Sequence, residues 1–83
     1  MTLAIPTIHM NGTSKQELLD QMCNAISALQ AALEAMQGAC PNGRDYYPQG
    51  NHATQEALRQ HANRLHNVKA ALDEINEIAE TIA

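Results

Sequence analysis

The sequence predicts an all-α fold, an antiparallel two-helix hairpin with a short extended N-terminal arm, assembling into a helical homo-oligomer. Three observations predict it. Two long stretches carry apolar residues at alternating three- and four-residue spacing, the mark of a single helical face. One run rich in Pro, Gly and Asn, from Pro41 to Gly50, lies between them. The chain has 83 residues, near the size below which a lone core seldom supplies more than about 3–5 kcal/mol. Self-association is the obvious supplement, because each helix of a hairpin leaves one flank uncovered.

The arm (residues 1–13) holds Leu3, Ile5, Ile8 and Met10. Pro6 lacks the amide donor that a ladder needs, so no regular strand is expected there. Asn11-Gly12 signals a turn. Ser14-Lys15-Gln16-Glu17 then fits a capping box, in which the hydroxyl accepts from the amide three residues on and the carboxylate reaches back. The first helix is predicted over 14–40. Its seam runs Leu18, Met22, Ile26, Leu29, Leu33, Met36 and Cys40, flanked by Leu19, Ala25 and Ala32. Gly38 and Pro41 end it, the one by low propensity and the other by its missing donor.

The loop (41–52) contains Asn42-Gly43, which suits positive backbone φ, and is stiffened by Pro41 and Pro48. The second helix is predicted over 53–83. Its seam reads Leu58, His61, Leu65, Val68, Leu72, Ile75, Ala79 and Ile82, widened by Ile78. At about 1.5 Å per residue the two helices measure roughly 36 and 45 Å. The many alanines allow close helix approach and are also simply good helix formers.

Formal charge is −4, which argues against binding long nucleic acid. The charge is unevenly spread. From Arg44 to Lys69 four bases face two acids, a local +2 with His52, His61 and His66 in reserve, while the remainder carries −6. Antiparallel pairing makes the loop end positive and the open end negative, so a small anion fits the former. No basic segment followed by an apolar run opens the chain, and no stretch approaches about 18 apolar residues. Export and membrane spanning are therefore not expected. Cys23 and Cys40 lack a disulfide framework and read as small reduced hydrophobes of a cytosolic protein.

The only two aromatic residues, Tyr46 and Tyr47, sit together beside Arg44 in the loop. A tyrosine presents a flat stacking face with a hydroxyl, and an arginine a planar fork for phosphate or carboxylate. The loop is thus either a recognition surface or a plug closing the hairpin, with Arg44 and Asp45 as local ion partners. On the second helix Gln55, Arg59, Asn63 and His66 line an edge beside the seam, as a candidate groove wall or a solvated face. The segment from His9 to Lys15 either simply caps the helix or, through its exposed amides with Thr13, Ser14 and Lys15, holds an anion at the helix start. An arm packed over a neighbouring subunit would bring His9 and Asn11 to a shared cleft.

His61, in the seam, reads as a satisfied core or interface residue. His61 and His66 are separated by about 140° around a helix and do not share a metal, so no metal or cofactor is expected. No Gly-rich phosphate loop or G-x-S-x-G is present, and binding without catalysis is expected. A His/Asp/Tyr site assembled across subunits stays open as phosphodiester chemistry.

The pairing of Ile8-His9-Met10-Asn11-Gly12-Thr13-Ser14 with Pro41-Asn42-Gly43-Arg44-Asp45-Tyr46-Tyr47-Pro48-Gln49-Gly50 resembles a family of short proteins encoded by bacteriophages and prophages. In architecture the chain is similar to small helical phage proteins that oligomerise and sequester nucleotide signals of bacterial immunity. It departs from the hairpin family of such sponges, since it lacks their Glu-Ala, Met-Trp and Asn-Lys-Ala-Ile-Ala-Arg run and has no Trp. The resemblance implies an anti-defence sponge in the host cytosol that binds a cyclic nucleotide or ADP-ribose derivative. Tyr46 or Tyr47 would stack on the base and Arg44 and Arg59 would face phosphates. His9, Asn11, Thr13 and His66 would complete the pocket from the same or adjacent subunits. The alternative is a helical interaction protein that binds a host or phage protein.

Overall fold

A computed structural model describes residues 2–83. Helix α1 spans Lys15–Gly38 and helix α2 spans Ala53–Ile82. Two 3-10 turns, Gly43–Asp45 and Tyr47–Gln49, fill the connection. No strand occurs among the described residues, and the arm carries no regular secondary structure up to the turn at residues 10–12, in keeping with the missing donor of Pro6. Among the described residues no helix is long and apolar enough to cross a membrane.

The start of α1 follows from its cap. Ser14 has extended backbone and its hydroxyl accepts from the Glu17 amide at 3.2 Å. That is one half of the capping box; no return bond from the Glu17 side chain forms among the described residues. At the other end the helix stops at Gly38, and the Ala39 amide donates to the Met36 carbonyl at 3.1 Å. Cys40, expected to close the seam, lies outside the helix and is exposed, as is Cys23. Pro41 accounts for Cys40, because a residue before proline is pushed out of the α region.

The loop corrects one expectation. Asn42 keeps negative φ, −108°, and its side-chain oxygen accepts from the Arg44 amide at 2.9 Å. The asparagine therefore caps the first 3-10 turn rather than supplying a left-handed corner. Gly50 supplies that corner, with φ 119°, just before α2.

The hairpin is antiparallel: Leu33 and Gln37 near the end of α1 share a groove with Ala62, Leu65, His66 and Lys69 of α2. From α1, Leu18, Met22, Ile26, Leu29, Leu33 and Met36 are all partly buried. From α2, Leu72 and Ile82 are buried, at 5% and 8% exposure, together with His61 at 8%. No described side chain is completely enclosed, so the core is a single seam rather than a closed interior. Leu58, expected in that seam, is 41% exposed. The reason is length. Helix α2 has 30 residues against 24 in α1, so its first turns run past Gly38 and meet the loop instead. His61 differs from expectation as well: it is buried, yet its Nε2 has no hydrogen-bond partner among the described residues.

Candidate functional site

The overhang of α2 creates the site. Where α1 has ended, the loop folds back over the first three turns of α2 and leaves a cavity of about 280 Å³. Pro41, Tyr46 and Gln49 line it from the loop, and Ala53, Glu56, Ala57, Gln60 and Arg64 from the helix. Two of these helical residues are alanines, and their short side chains leave the space that a leucine would fill. Tyr46 is partly buried and turns toward this space. Its neighbour Tyr47 is 74% exposed and outside it.

Charge in the cavity is set by one exposed cluster. Arg59 donates from Nε to Glu56 Oε2 at 3.1 Å and from a terminal nitrogen to Oε1 at 2.5 Å. Gln60 Nε2 donates to the same Glu56 Oε1 at 3.2 Å. These bonds, from Arg59 first and Gln60 second, with the nearby Arg59 charge adding to them, hold the Glu56 carboxyl down to about 2. The same bond raises Arg59 above its ordinary value. Glu56 is thus an anion already matched by a cation, and Arg64 gives the cavity its surplus positive charge.

The residues singled out in the sequence fall into four places. Tyr46 is in the cavity, with Arg59 acting on its wall through Glu56. Arg44 is exposed on the first 3-10 turn, its Nε 3.4 Å from Asn42 Oδ1, outside the cavity lining beside Tyr47. His66 lines a second, more open groove of about 400 Å³ with Leu33, Gln37, Ala62, Leu65 and Lys69. The edge residues Gln55, Arg59, Asn63 and His66 all stand exposed on the helix surface, and His66 also lines the second groove.

His9, Asn11 and Thr13 are exposed at the opposite end of the hairpin. The Gly12 amide donates to the His9 carbonyl at 3.2 Å, and the His9 ring lies so close over Gly12 that a Cβ there would stand 2.8 Å from Nε2. The whole of α1, about 36 Å of helix, separates this turn from the loop. One chain cannot bring both groups to one ligand; a shared pocket requires a second copy.

Sequence reasoning missed Arg64, Gln49 and Gln60. The available signal was the stripe Ala53, Ala57, Gln60, Arg64, spaced four, three and four, a helical face with small residues at its start. No group of three or more potential metal ligands gathers among the described residues. Comparison of the chain with known protein families, curated proteins and solved structures finds no match.

Proposed function

We propose that the chain binds and sequesters a small nucleotide signal, a cyclic nucleotide or an ADP-ribose derivative, without turning it over. In this reading it works as a homo-oligomer in the cytoplasm of a phage-infected host, as an anti-defence sponge. The observation that carries the proposal is the loop-end cavity, where an aromatic face (Tyr46), an unmatched cation (Arg64) and two amides (Gln49 and Gln60) converge. A ring stacks on a base, a guanidinium faces phosphate, and amides read base edges.

At about 280 Å³ the cavity lies near the lower bound of roughly 300 Å³ for small-molecule pockets. It takes one base or one sugar-phosphate, and the rest of the ligand projects over the rim. Arg44 and Tyr47 stand on that rim. The resemblance of the arm and loop motifs to phage and prophage proteins supports the biological setting.

Thermal melting against cyclic dinucleotides and ADP-ribose derivatives tests the reading, since a ligand at 100 times its dissociation constant adds about 2.7 kcal/mol. Stacking contributes roughly 1–3 kcal/mol and a charged hydrogen bond about 1.5–3. Tyr46→Ala and Arg64→Ala should therefore each weaken binding about tenfold or more by calorimetry, while Tyr47→Ala costs less. Ligand released by heating should be chemically unchanged. A hydrolysed product would make the protein an enzyme, and a flat response to every nucleotide would sink the reading. A second reading, an interaction protein for a host or phage protein, draws on the exposed apolar arm residues Ile5, Ile8 and Met10.

A further inference from the structure

The apolar residues of the arm differ in exposure. Leu3 and Pro6 are partly covered within the chain. Ile5 is 39% exposed, Ile8 43% and Met10 97%. Three large apolar side chains on one short segment are unusual company for water, and from Thr2 to Met10 the segment carries no Asp, Glu, Lys or Arg. It can be buried without desolvating a fixed charge.

The second groove has matching chemistry. Apolar Leu33, Ala62 and Leu65 line it together with Gln37, His66 and Lys69. The Lys69 ammonium is tied to Asp73 Oδ1 at 2.5 Å, one turn toward the open end, so its stem rather than its charge faces the groove. This groove lies near the loop end, and the arm of the same chain lies at the open end. The occupant must come from another molecule.

Surface area and charge both name that molecule. The chain exposes 6194 Å², against about 4,850 Å² for a compact protein of its mass. Its radius of gyration is 18.2 Å, against about 12 Å for a globule of this length. The excess of roughly 1,300 Å² is larger than the ~800 Å² per partner of a standard interface. Two rods set antiparallel bring the acidic open end of each beside the basic loop end of the other, and the same placement carries each arm to its neighbour's groove.

We propose that two copies of the chain pair antiparallel, the arm residues Ile5, Ile8 and Met10 of one copy seated on the Leu33, Ala62 and Leu65 groove of the other. The pairing rests on the oligomer of the proposed function but not on its ligand. It also brings His9 and Asn11 to the end of the partner that holds the loop cavity.

The test is made without nucleotide. In a Cys23→Ser, Cys40→Ser background, one copy carries Met10→Cys and another Ala62→Cys; both sites are exposed, so neither change opens the core. Mild oxidation of the mixture should yield the mixed disulfide dimer in several-fold excess over either symmetric dimer. Sedimentation should show Ile8→Asp, in the full chain, weakening association at least tenfold with helicity unchanged. Symmetric dimers alone, or equal association of wild type and Ile8→Asp, would overturn the proposal. A nucleotide-induced rise in melting temperature that survives in Ile8→Asp would leave the binding reading standing when the arm pairing fails, so the two failures are separable.

Discussion

Tyr46 and Tyr47 are adjacent in sequence and differ in surroundings because the backbone turns at that point. Tyr46 ends one 3-10 turn and Tyr47 begins the next, so consecutive side chains diverge by about a third of a circle. One closes the cavity and its neighbour meets solvent. A similar residue-level contrast holds for two polar groups of α2. Glu56, with its carboxyl at about 2 against an ordinary 4.5, binds protons less readily folded than unfolded. Its contribution to stability is present above about pH 4.5 and is lost as pH falls toward 2. Carboxyl NMR should place its midpoint below the ordinary 4.5 and return it upward in Arg59→Ala. Because both side chains are more than half exposed, solvent screens the pair, and Arg59→Ala should lower the melting temperature at neutral pH only slightly, with the difference from wild type disappearing as pH falls toward 2. An ordinary midpoint in the wild type would mean the pair does not persist in solution. His61 is the opposite case. Its buried, unpartnered Nε2 costs about 1–3 kcal/mol, so His61→Leu should raise stability by roughly that amount in denaturant titration. A loss would show that Nε2 finds a partner in the assembled protein.

At the scale of elements, two glycines separate backbone need from chance. Gly50 sits at φ 119° and ψ 173°, a region that other residues hold only at a cost of order 1–3 kcal/mol. Gly38 is helical, and a methyl group there would meet nothing within 4 Å. Gly50→Ala should therefore destabilise by that cost, while Gly38→Ala should stabilise by about 0.5–1 kcal/mol, both read from urea midpoints. Leu72→Ala, at a buried seam position, should cost about 2–5 kcal/mol. Both helices are legible in the sequence because their signals are local. Ser14 and Glu17 mark a start within four residues, and Leu18 through Met36 hold one face for five turns. The site is less legible because it depends on a difference between elements. Ala53, Glu56, Gln60 and Arg64 become a cavity wall only because α2 outruns α1 and the loop folds over the surplus. Nothing near Arg64 in sequence encodes the position of Gly38. The arm misleads for a related reason: chemistry groups His9, Asn11 and Thr13 with the loop residues, and the hairpin puts its full length between them.

At the scale of the whole molecule, shape and charge act together. A rod measuring 61 × 25 × 17 Å has poles, and this one has a +2 segment around the loop while the rest carries −6. Side-by-side pairing in the parallel sense would set acidic end on acidic end over the length of Asp73, Glu74, Glu77 and Glu80. Antiparallel pairing sets those carboxylates near Arg44, Arg59 and Arg64 of the other copy. Exposed charges interact over about 10 Å at 0.1 M salt and about 3 Å at 1 M. Antiparallel association should therefore weaken as sodium chloride is raised through that range, with the change carried mainly by the association rate. Parallel association would strengthen over the same range, because salt would relieve the repulsion between like poles. Sedimentation at several salt concentrations reads the sign directly. A dimer that tightens with salt would reject the antiparallel arrangement, and with it the delivery of one copy's arm to the other's loop end.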